Sequence, residues 1–219
     1  MLISVIRVIR VDPDEVVIFT VFVIAQCLLS SNFNIQVLFT FTITVMSEME
    51  KIRVAIERSH KALSLKPSLG LGTGISKTRI VNGLTCEVTE GSWQLKSDMP
   101  EAAGGNGSAP TPGVYGRAAL GSCLAIGYMM RAARNKINIH SLEVEVQASY
   151  DDGALFGTTE NTPPGYTEVK YVVTIESDAS EEEIMKLIDE ADQHSPYLDV
   201  FARAQKCSRL VNIIVPKVV

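Results

Sequence analysis

The fold of this chain is decided by one long segment of small and apolar residues, Thr111-Pro-Gly-Val-Tyr-Gly-Arg-Ala-Ala-Leu-Gly-Ser-Cys-Leu-Ala-Ile-Gly-Tyr-Met-Met-Arg-Ala-Ala-Arg-Asn135. Thr111 is suited to cap a helix, and Pro112 suits the first helical position, where a missing N–H has no cost. Nearly every residue from Val114 to Ala133 is apolar or small on all faces, so the pattern predicts a helix that is buried all round. Its uninterrupted apolar run, Ala118 to Met130, is too short to span a membrane.

A single cysteine, Cys123, lies in the middle of this predicted helix. At helical spacing its face is shared by small and apolar residues: Gly116, Ala119, Leu120, Ile126 and Gly127. Either the thiol is functional, on a face that another backbone approaches closely, or it is an inert core cysteine, since free cysteine is among the most buried residue types. The helix by itself favours the inert cysteine.

The composition excludes several classes of function. The chain has 219 residues, 46% hydrophobic and 21% charged, with a formal charge of −5 and no basic run, so we expect no nucleic-acid partner. Its four cysteines and three histidines are widely scattered, a pattern that predicts neither a disulfide framework nor a metal site. Gly70 to Thr78 resembles a phosphate-binding loop but has Leu71 and Ser76 where that motif needs glycines, so we expect no nucleotide cofactor. Reduced thiols in a cytoplasmic protein are the simplest interpretation.

Residues 1–45 differ in composition from the rest of the chain. They are dense in Val, Ile, Phe and Leu, contain no Gly, and end in the strand-like alternation of Phe39 to Val45. We interpret them as an extension that the functional protein does not need, with Met46 or Met49 as the working start. The alternative is a genuine membrane anchor, in which case the protein is tethered to a membrane.

The remaining chain divides into a helical arm with a linker, residues 46–76, and one α+β domain, residues 77–219. In the arm, Glu50 to Leu65 has helical periodicity and Pro67 to Gly74 has linker composition. The elements predicted for the domain besides the long helix are an antiparallel meander over Arg79–Ser97, a strand over Leu142–Ala148, a turn at Asp151–Gly153, a strand over Thr167–Ile175, a capping box and helix from Ser180, a helix opening at Ser195-Pro196, and a final strand over Leu210–Val215.

The pattern Gly104-Gly105, Pro110-x-Pro112 and Ala118-Ala-Leu-Gly-Ser-Cys-Leu-Ala125, followed by a strand, a turn and a late Ser-Pro helix start, resembles the OsmC/Ohr family of osmotically inducible and organic hydroperoxide resistance proteins. The resemblance covers roughly Lys77 to Val219. It implies an intertwined homodimer in which sheets of both chains wrap the central cysteine helices, and thiol peroxidase chemistry at Cys123. With the resemblance, the functional interpretation of Cys123 becomes the favoured one.

The sequence departs from the family pattern at three positions. Where family peroxidases carry a second cysteine in a Cys-Pro pair, this chain has Ser195, whose hydroxyl cannot form a disulfide. Where they carry a Glu that orients an Arg toward the thiol, ten residues before the cysteine, it has Gly113. The family's Arg has no clear counterpart; Arg79 is the nearest candidate, and Arg117 lies off the Cys123 face, although it could serve the other subunit. Cys207 is a candidate resolving cysteine but is more simply structural, as Cys86 is.

Two functions remain open. The first is a one-cysteine peroxidase that reduces an organic hydroperoxide through Cys123 and is itself reduced by an external thiol or a dihydrolipoyl-type carrier. A cation must then stabilise the thiolate, because Cys123 lies about three turns from the helix N-terminus, too far for the dipole to do so. The second is a non-catalytic dimer that binds a small apolar ligand or has a structural role.

Overall fold

The computed structural model describes residues 3–9, 17–28 and 34–214 and divides the chain into two compact units, Met1–Leu71 and Gly72–Val219. The first unit holds a three-stranded antiparallel sheet in the order β1-β2-β3, then one long helix and one 3-10 turn. Its elements are β1 (Ile3–Ile9), β2 (Val17–Leu28), β3 (Asn34–Val45), α1 (Glu48–Leu65) and the 3-10 turn Pro67–Gly70. The alternation of Phe39 to Val45 thus lies in a strand, and the predicted arm is helical.

The helix α1 begins where its sequence provides a cap. The Ser47 hydroxyl accepts a hydrogen bond from the Glu50 amide at 3.1 Å. Along its surface, Arg53 forms ion pairs with Glu50 and, at 2.6 Å, with Glu57. Such i,i+3 and i,i+4 pairs each contribute only a few tenths of a kcal/mol, about 0.2–0.5. None of the residues of α1 is fully buried.

The second unit is an α+β domain with two small antiparallel sheets. Its elements in chain order are β4 (Lys77–Asn82), β5 (Thr85–Glu90), β6 (Trp93–Ser97), the 3-10 turn Glu101–Ala103, α2 (Pro112–Asn135), β7 (Ile139–Ser149), α3 (Asp152–Phe156), β8 (Glu168–Ser177), α4 (Glu181–Asp192) and α5 (Pro196–Ala202). The strands β4, β5 and β6 form the predicted meander, and β7 pairs with β8.

The meander is poorly covered in a single chain. Every residue of β4 is exposed, and the large apolar side chains Ile80, Trp93 and Leu95 are 58%, 74% and 50% exposed. A three-stranded sheet needs a packed face for independent stability. The sheet therefore presents apolar surface that one chain alone does not bury.

A buried carboxylate organises the loop that leads from the meander to α2. Asp98 is 1% exposed and accepts hydrogen bonds from the hydroxyls of Ser108 (2.7 Å) and Thr85 (3.1 Å) and from the amides of Met99 (2.8 Å) and Ser108 (3.1 Å). The Ser108 hydroxyl, followed by these amides, holds the pKa of Asp98 well below its usual range despite burial. Within the loop, a Cβ on Gly105 would lie 1.9 Å from the Met99 carbonyl oxygen, so only glycine fits there.

The helix α2 runs from Pro112 to Asn135, as predicted, but one chain buries only one of its faces. Thr111 occupies the N-cap position, although its hydroxyl makes no capping hydrogen bond. The buried residues are Leu120, Leu124, Tyr128, Ala132 and Ala133. The opposite side exposes a stripe at every fourth residue: Val114, Ala118, Ser122, Ile126 and Met130. The expectation of burial all round is therefore wrong for a single chain, because no other element among the described residues covers this stripe.

The hairpin of β7 and β8 packs on α2. Its strands alternate between half-buried and exposed side chains, so that Leu142, Val144, Val146 and Ala148 face inward as predicted. At the contact, a Cβ on Gly121 would lie 3.3 Å from Cγ2 of Val146. The small residue permits this close approach of helix and sheet.

The helix α4 begins with the predicted capping box. The Ser180 hydroxyl accepts from the Glu183 amide at 3.3 Å, and the Ser180 amide donates to the Glu183 carboxylate at 2.9 Å. Leu187 and Ala191 of this helix are buried.

At the end of α4, the carboxylate of Asp192 joins three elements. It accepts hydrogen bonds from the Tyr128 hydroxyl of α2 at 2.8 Å and from the Tyr171 hydroxyl of β8 at 2.7 Å. Burial and the neighbouring Asp192 raise the pKa of Tyr171 to about 12 and that of Tyr128 further. Both tyrosines therefore remain protonated donors, and we call these three residues the Asp192 clamp.

Two predicted elements differ in the structure. Asp151–Gly153, expected as a turn, opens the short helix α3, because the Asp151 side chain accepts from the Gly153 amide at 2.8 Å and caps it. The final strand is wrong for residues 210–214, which are irregular and exposed, since a strand forms only where another strand pairs with it. Val215 lies outside the described residues.

The Asp98 interactions predict an acid-sensitive contribution to stability. Since the pKa of Asp98 is lowered in the folded protein, its contribution is present above the ordinary value near 4 and is lost as pH falls toward the folded value. We expect Asp98→Asn to destabilise the protein at pH 7 and to flatten the fall in stability below pH 4. Urea unfolding of both proteins at several pH values measures this; parallel pH profiles would contradict it.

The Asp192 clamp predicts that Tyr128→Phe costs about 1.5–3 kcal/mol of unfolding free energy, the usual size for a hydrogen bond to a charged group. The matched control is Tyr150→Phe, because Tyr150 is 60% exposed and its loss of a hydroxyl should change stability by less than about 0.5 kcal/mol. Equal effects of the two variants in urea unfolding would show that the clamp contributes nothing.

Candidate active site

The structure brings together the two residues that the sequence singled out. Cys123, half-buried in α2, has its Sγ 3.5 Å from Oγ of Ser195, which lies 72 residues later in the chain. Ser195 is 7% exposed and is the N-cap of α5, where its hydroxyl accepts from the Leu198 amide at 3.3 Å. The position that holds a second cysteine in the resembling family thus contacts the thiol directly.

The contact depends on how the chain turns between α4 and α5. The Ser195 amide donates to the Asp192 carbonyl at 3.1 Å, which fixes the turn immediately after the clamp. Because Asp192 is anchored to Tyr128, five residues beyond Cys123 on α2, the clamp holds Ser195 at the level of the thiol. Sequence reasoning missed this anchor, since Tyr128 and Asp192 are 64 residues apart and no local pattern links them.

A second polar cluster lies near the start of α2. The Tyr166 hydroxyl donates to the Gly113 carbonyl at 3.0 Å, and Arg117 Nη1 lies 3.4 Å from the same hydroxyl. The Tyr166 ring stacks on Phe201 of α5, with ring centroids 6.1 Å apart. Tyr166 gave no signal in the sequence beyond its place just before a strand.

This cluster occupies the region of the missing glutamate. A Cβ on Gly113 would lie 3.5 Å from Nη1 of Arg117, so the guanidinium lies next to the position where the family pattern has its Glu. The described hydrogen bond of Arg117 is to Tyr166. In a single chain, then, Arg117 is held beside Gly113 without a contact to Cys123 among the described interactions.

The other candidate residues lie elsewhere. Arg79 of β4 forms an ion pair with Glu87 of β5 at 3.1 Å, and both side chains are largely exposed. Its described interaction is therefore within the meander. Cys86 is half-buried in β5, with Sγ 3.8 Å from the Leu84 carbonyl oxygen. Cys207 is exposed in an irregular segment, contrary to the expectation of a structural cysteine beside a strand.

Two features are absent from the described part of the chain, a metal-ligand cluster and a membrane-spanning helix. Within it, no three His, Cys, Asp or Glu side chains come together as a metal site. None of the helices in that part combines the length and the apolar character that a membrane crossing requires.

Comparison with known proteins supports the resemblance. Residues 105–208 match the family model described as OsmC-like protein. An OsmC-like protein of Mycoplasma pneumoniae superposes with a TM-score of 0.52 at 18% identity, over 60% of this chain and 88% of that one. An OsmC-like protein of unknown function from Vibrio cholerae gives 0.50 at 9% identity, over 59% and 94%. The organic hydroperoxide resistance protein OsmC of Legionella pneumophila gives 0.45 at 21% identity, over 60% and 90%.

No curated protein matches the chain significantly. The Mycoplasma and Vibrio structures, at 18% and 9% identity, show a shared fold, and the family model identifies the sequence pattern that accompanies it. Residues 105–208 are therefore OsmC-like in both sequence and fold, which confirms the resemblance of this chain to the OsmC/Ohr family.

Proposed function

We propose that this protein is a thiol-dependent peroxidase that reduces organic hydroperoxides through Cys123 and relies on an external thiol for its own reduction. At the level of the family, the OsmC match supports a hydroperoxide-related role. The observation that carries the proposal for this chain is the 3.5 Å contact between the half-buried Cys123 thiol and the Ser195 hydroxyl. An inert core cysteine is surrounded by apolar side chains, whereas the Cys123 thiol contacts a hydroxyl.

The reaction balances with one protein sulfur. The Cys123 thiolate attacks the distal oxygen of ROOH; an S–O bond forms, the O–O bond breaks, and the alkoxide leaves as ROH with the proton that the thiol released. Sulfur is oxidised by two electrons to a sulfenic acid. An external thiol then condenses with it, releasing water, and a second thiol group frees Cys123 and carries away the new disulfide.

The described residues favour an external reductant over an internal one. Ser195 occupies the contact position but has no sulfur to form a disulfide. Cys207 lies in an exposed irregular segment, with no described contact to Cys123. A small thiol or a dihydrolipoyl-type carrier fits this requirement, and such reductants are available in the cytoplasm, where we place the protein.

We further infer that two copies form a homodimer. The stripe on α2 exposes Ile126, Met130 and Val114 by 61%, 44% and 41%, and the meander exposes further apolar side chains. Apolar surface arranged along one helix face and one sheet is typical of an interface rather than of scattered exposed residues. A second copy that covers the stripe would also bury α2 on all faces, as its sequence predicts.

A non-catalytic role is the second candidate, and one observation favours it. Among the described interactions, no cation contacts Cys123, because Arg79 pairs with Glu87 and Arg117 with Tyr166. The thiol form of a cysteine is a weak nucleophile, and a nearby cation is a usual means of favouring the reactive thiolate. In that case the apolar surfaces around α2 would serve a small apolar ligand or a structural purpose.

Oxidation of the full-length protein by stoichiometric cumene hydroperoxide, with a sulfenic-acid trap present, tests the activity. We expect rapid trapping at Cys123 and complete loss of peroxide consumption in Cys123→Ser. The control Cys207→Ser should consume peroxide at the wild-type rate, because Cys207 is exposed and has no described contact with Cys123. Modification of Cys123 no faster than of Cys86 or Cys207 would overturn the proposal and favour the non-catalytic role.

Sedimentation equilibrium tests the dimer. We expect wild-type protein at twice the monomer mass and Ile126→Glu largely as monomer, because a charge on the stripe would be buried without a partner. The conservative control Ile126→Leu should remain dimeric. A monomeric wild type at micromolar concentration would contradict the inference.

A further inference from the structure

The hydroxyl of Ser195 has a hydrogen that the described hydrogen bonds leave available for Cys123. Its oxygen accepts the Leu198 amide, which occupies one lone pair, and its other described contact is the Cys123 sulfur. A hydroxyl provides one donor and two acceptor sites. Once the thiol has lost its proton, sulfur can only accept, so the hydroxyl must be the donor in this contact.

We propose that Ser195 is a catalytic residue that donates a hydrogen bond to the Cys123 sulfur as thiolate and then to the oxygen of the sulfenic acid that forms on it. This role rests on the proposed peroxidase activity. A second thiol at this position would form a disulfide with the oxidised sulfur, whereas Ser195 stabilises it by a hydrogen bond. Oxidation therefore stops at a sulfenic acid, which the external thiol then reduces.

Burial strengthens this hydrogen bond. Ser195 is 7% exposed, so water competes little for its hydroxyl, and hydrogen bonds with an ionised partner are about twice as strong as neutral ones. In the peroxide step Ser195 neither gains nor loses a proton: the S–O bond forms, the O–O bond breaks, and the thiol proton leaves with the alcohol. The negative charge leaves on the alkoxide, and the hydroxyl passes from the thiolate sulfur to the oxygen of the neutral sulfenic acid, which accepts through a lone pair.

Geometry also fixes where the hydroxyl points. The Asp192 clamp anchors the end of α4, the Ser195 amide bonds back to the Asp192 carbonyl, and the Leu198 amide binds the hydroxyl oxygen from the other side. Of the four directions around the oxygen, the bond to its own Cβ and the Leu198 amide occupy two. The Cys123 sulfur, 3.5 Å away, lies within reach of the hydroxyl hydrogen.

The test compares Ser195 variants by the rate of Cys123 oxidation and by the products formed. For Ser195→Ala we expect oxidation about tenfold slower, the effect of one lost hydrogen bond to a charged group, and faster passage of the sulfenic acid to sulfinic acid. Ser195→Thr keeps a hydroxyl and should restore both properties. Because Ser195→Ala also removes a helix cap, Ser180→Ala serves as the matched control: it removes the cap of α4, away from Cys123, and should oxidise at the wild-type rate.

Substitution of Ser195 by cysteine tests whether position 195 lies close enough to Cys123 for a covalent bond. After one equivalent of peroxide, Ser195→Cys should form an intramolecular disulfide with Cys123 and lose the sulfenic-acid signal, since a shift of about 1.5 Å brings two sulfurs from 3.5 Å to bonding distance. Wild-type protein should show the trapped sulfenic acid and no such disulfide.

The outcomes separate the two proposals. If wild-type Cys123 does not react with peroxide, the proposed function fails. If it reacts and Ser195→Ala matches wild type in rate and products, the activity stands and the role of Ser195 is overturned. Slow oxidation shared by Ser195→Ala and Ser180→Ala would also overturn it, because loss of a cap would then explain the effect.

Discussion

One carboxylate, Asp192, sets the relative placement of the elements around the candidate site. Its two oxygens accept hydroxyls from α2 and β8, and its carbonyl holds the amide of Ser195. Asp192 is half-buried, and a hydrogen bond to a charged group contributes about 1.5–3 kcal/mol to stability. The clamp thus couples the packing of helix and hairpin to the position of a hydroxyl beside Cys123, so that the fold and the site share one constraint.

Local signals in the sequence predicted most of the elements. Pro112 and the apolar run defined α2, alternation defined β7 and β8, and the capping box at Ser180 defined the start of α4. Contacts between distant residues were not predictable in this way. The clamp, the Tyr166 cluster and the Cys123–Ser195 distance depend on tertiary packing, which residue spacing alone does not encode. The resemblance to a family indicated that positions 123 and 195 belong together, but not that a hydrogen bond could join them.

The differences from expectation share a physical reason. The helix α2 was predicted to be buried on all faces, and residues 210–214 were predicted to form a strand, yet both expose apolar side chains in one chain. Both predictions were based on apolar composition. Composition does not show which other surface would pack against those side chains. The same holds for Arg117 in the candidate site. Its side chain lies beside Gly113, but the sequence does not show which tertiary contacts its guanidinium makes.

The exposed meander of β4, β5 and β6 has a consequence for how the protein is maintained in the cell. In the proposed dimer, completing this sheet and joining two copies are a single event, so the folded fraction depends on how much protein is present. Newly made chains at low abundance would carry open strand edges and uncovered Ile80, Trp93 and Leu95, surfaces that other unfolded chains readily bind. Expression level thereby becomes a determinant of folding, because the formation of a dimer is second order in the concentration of chains.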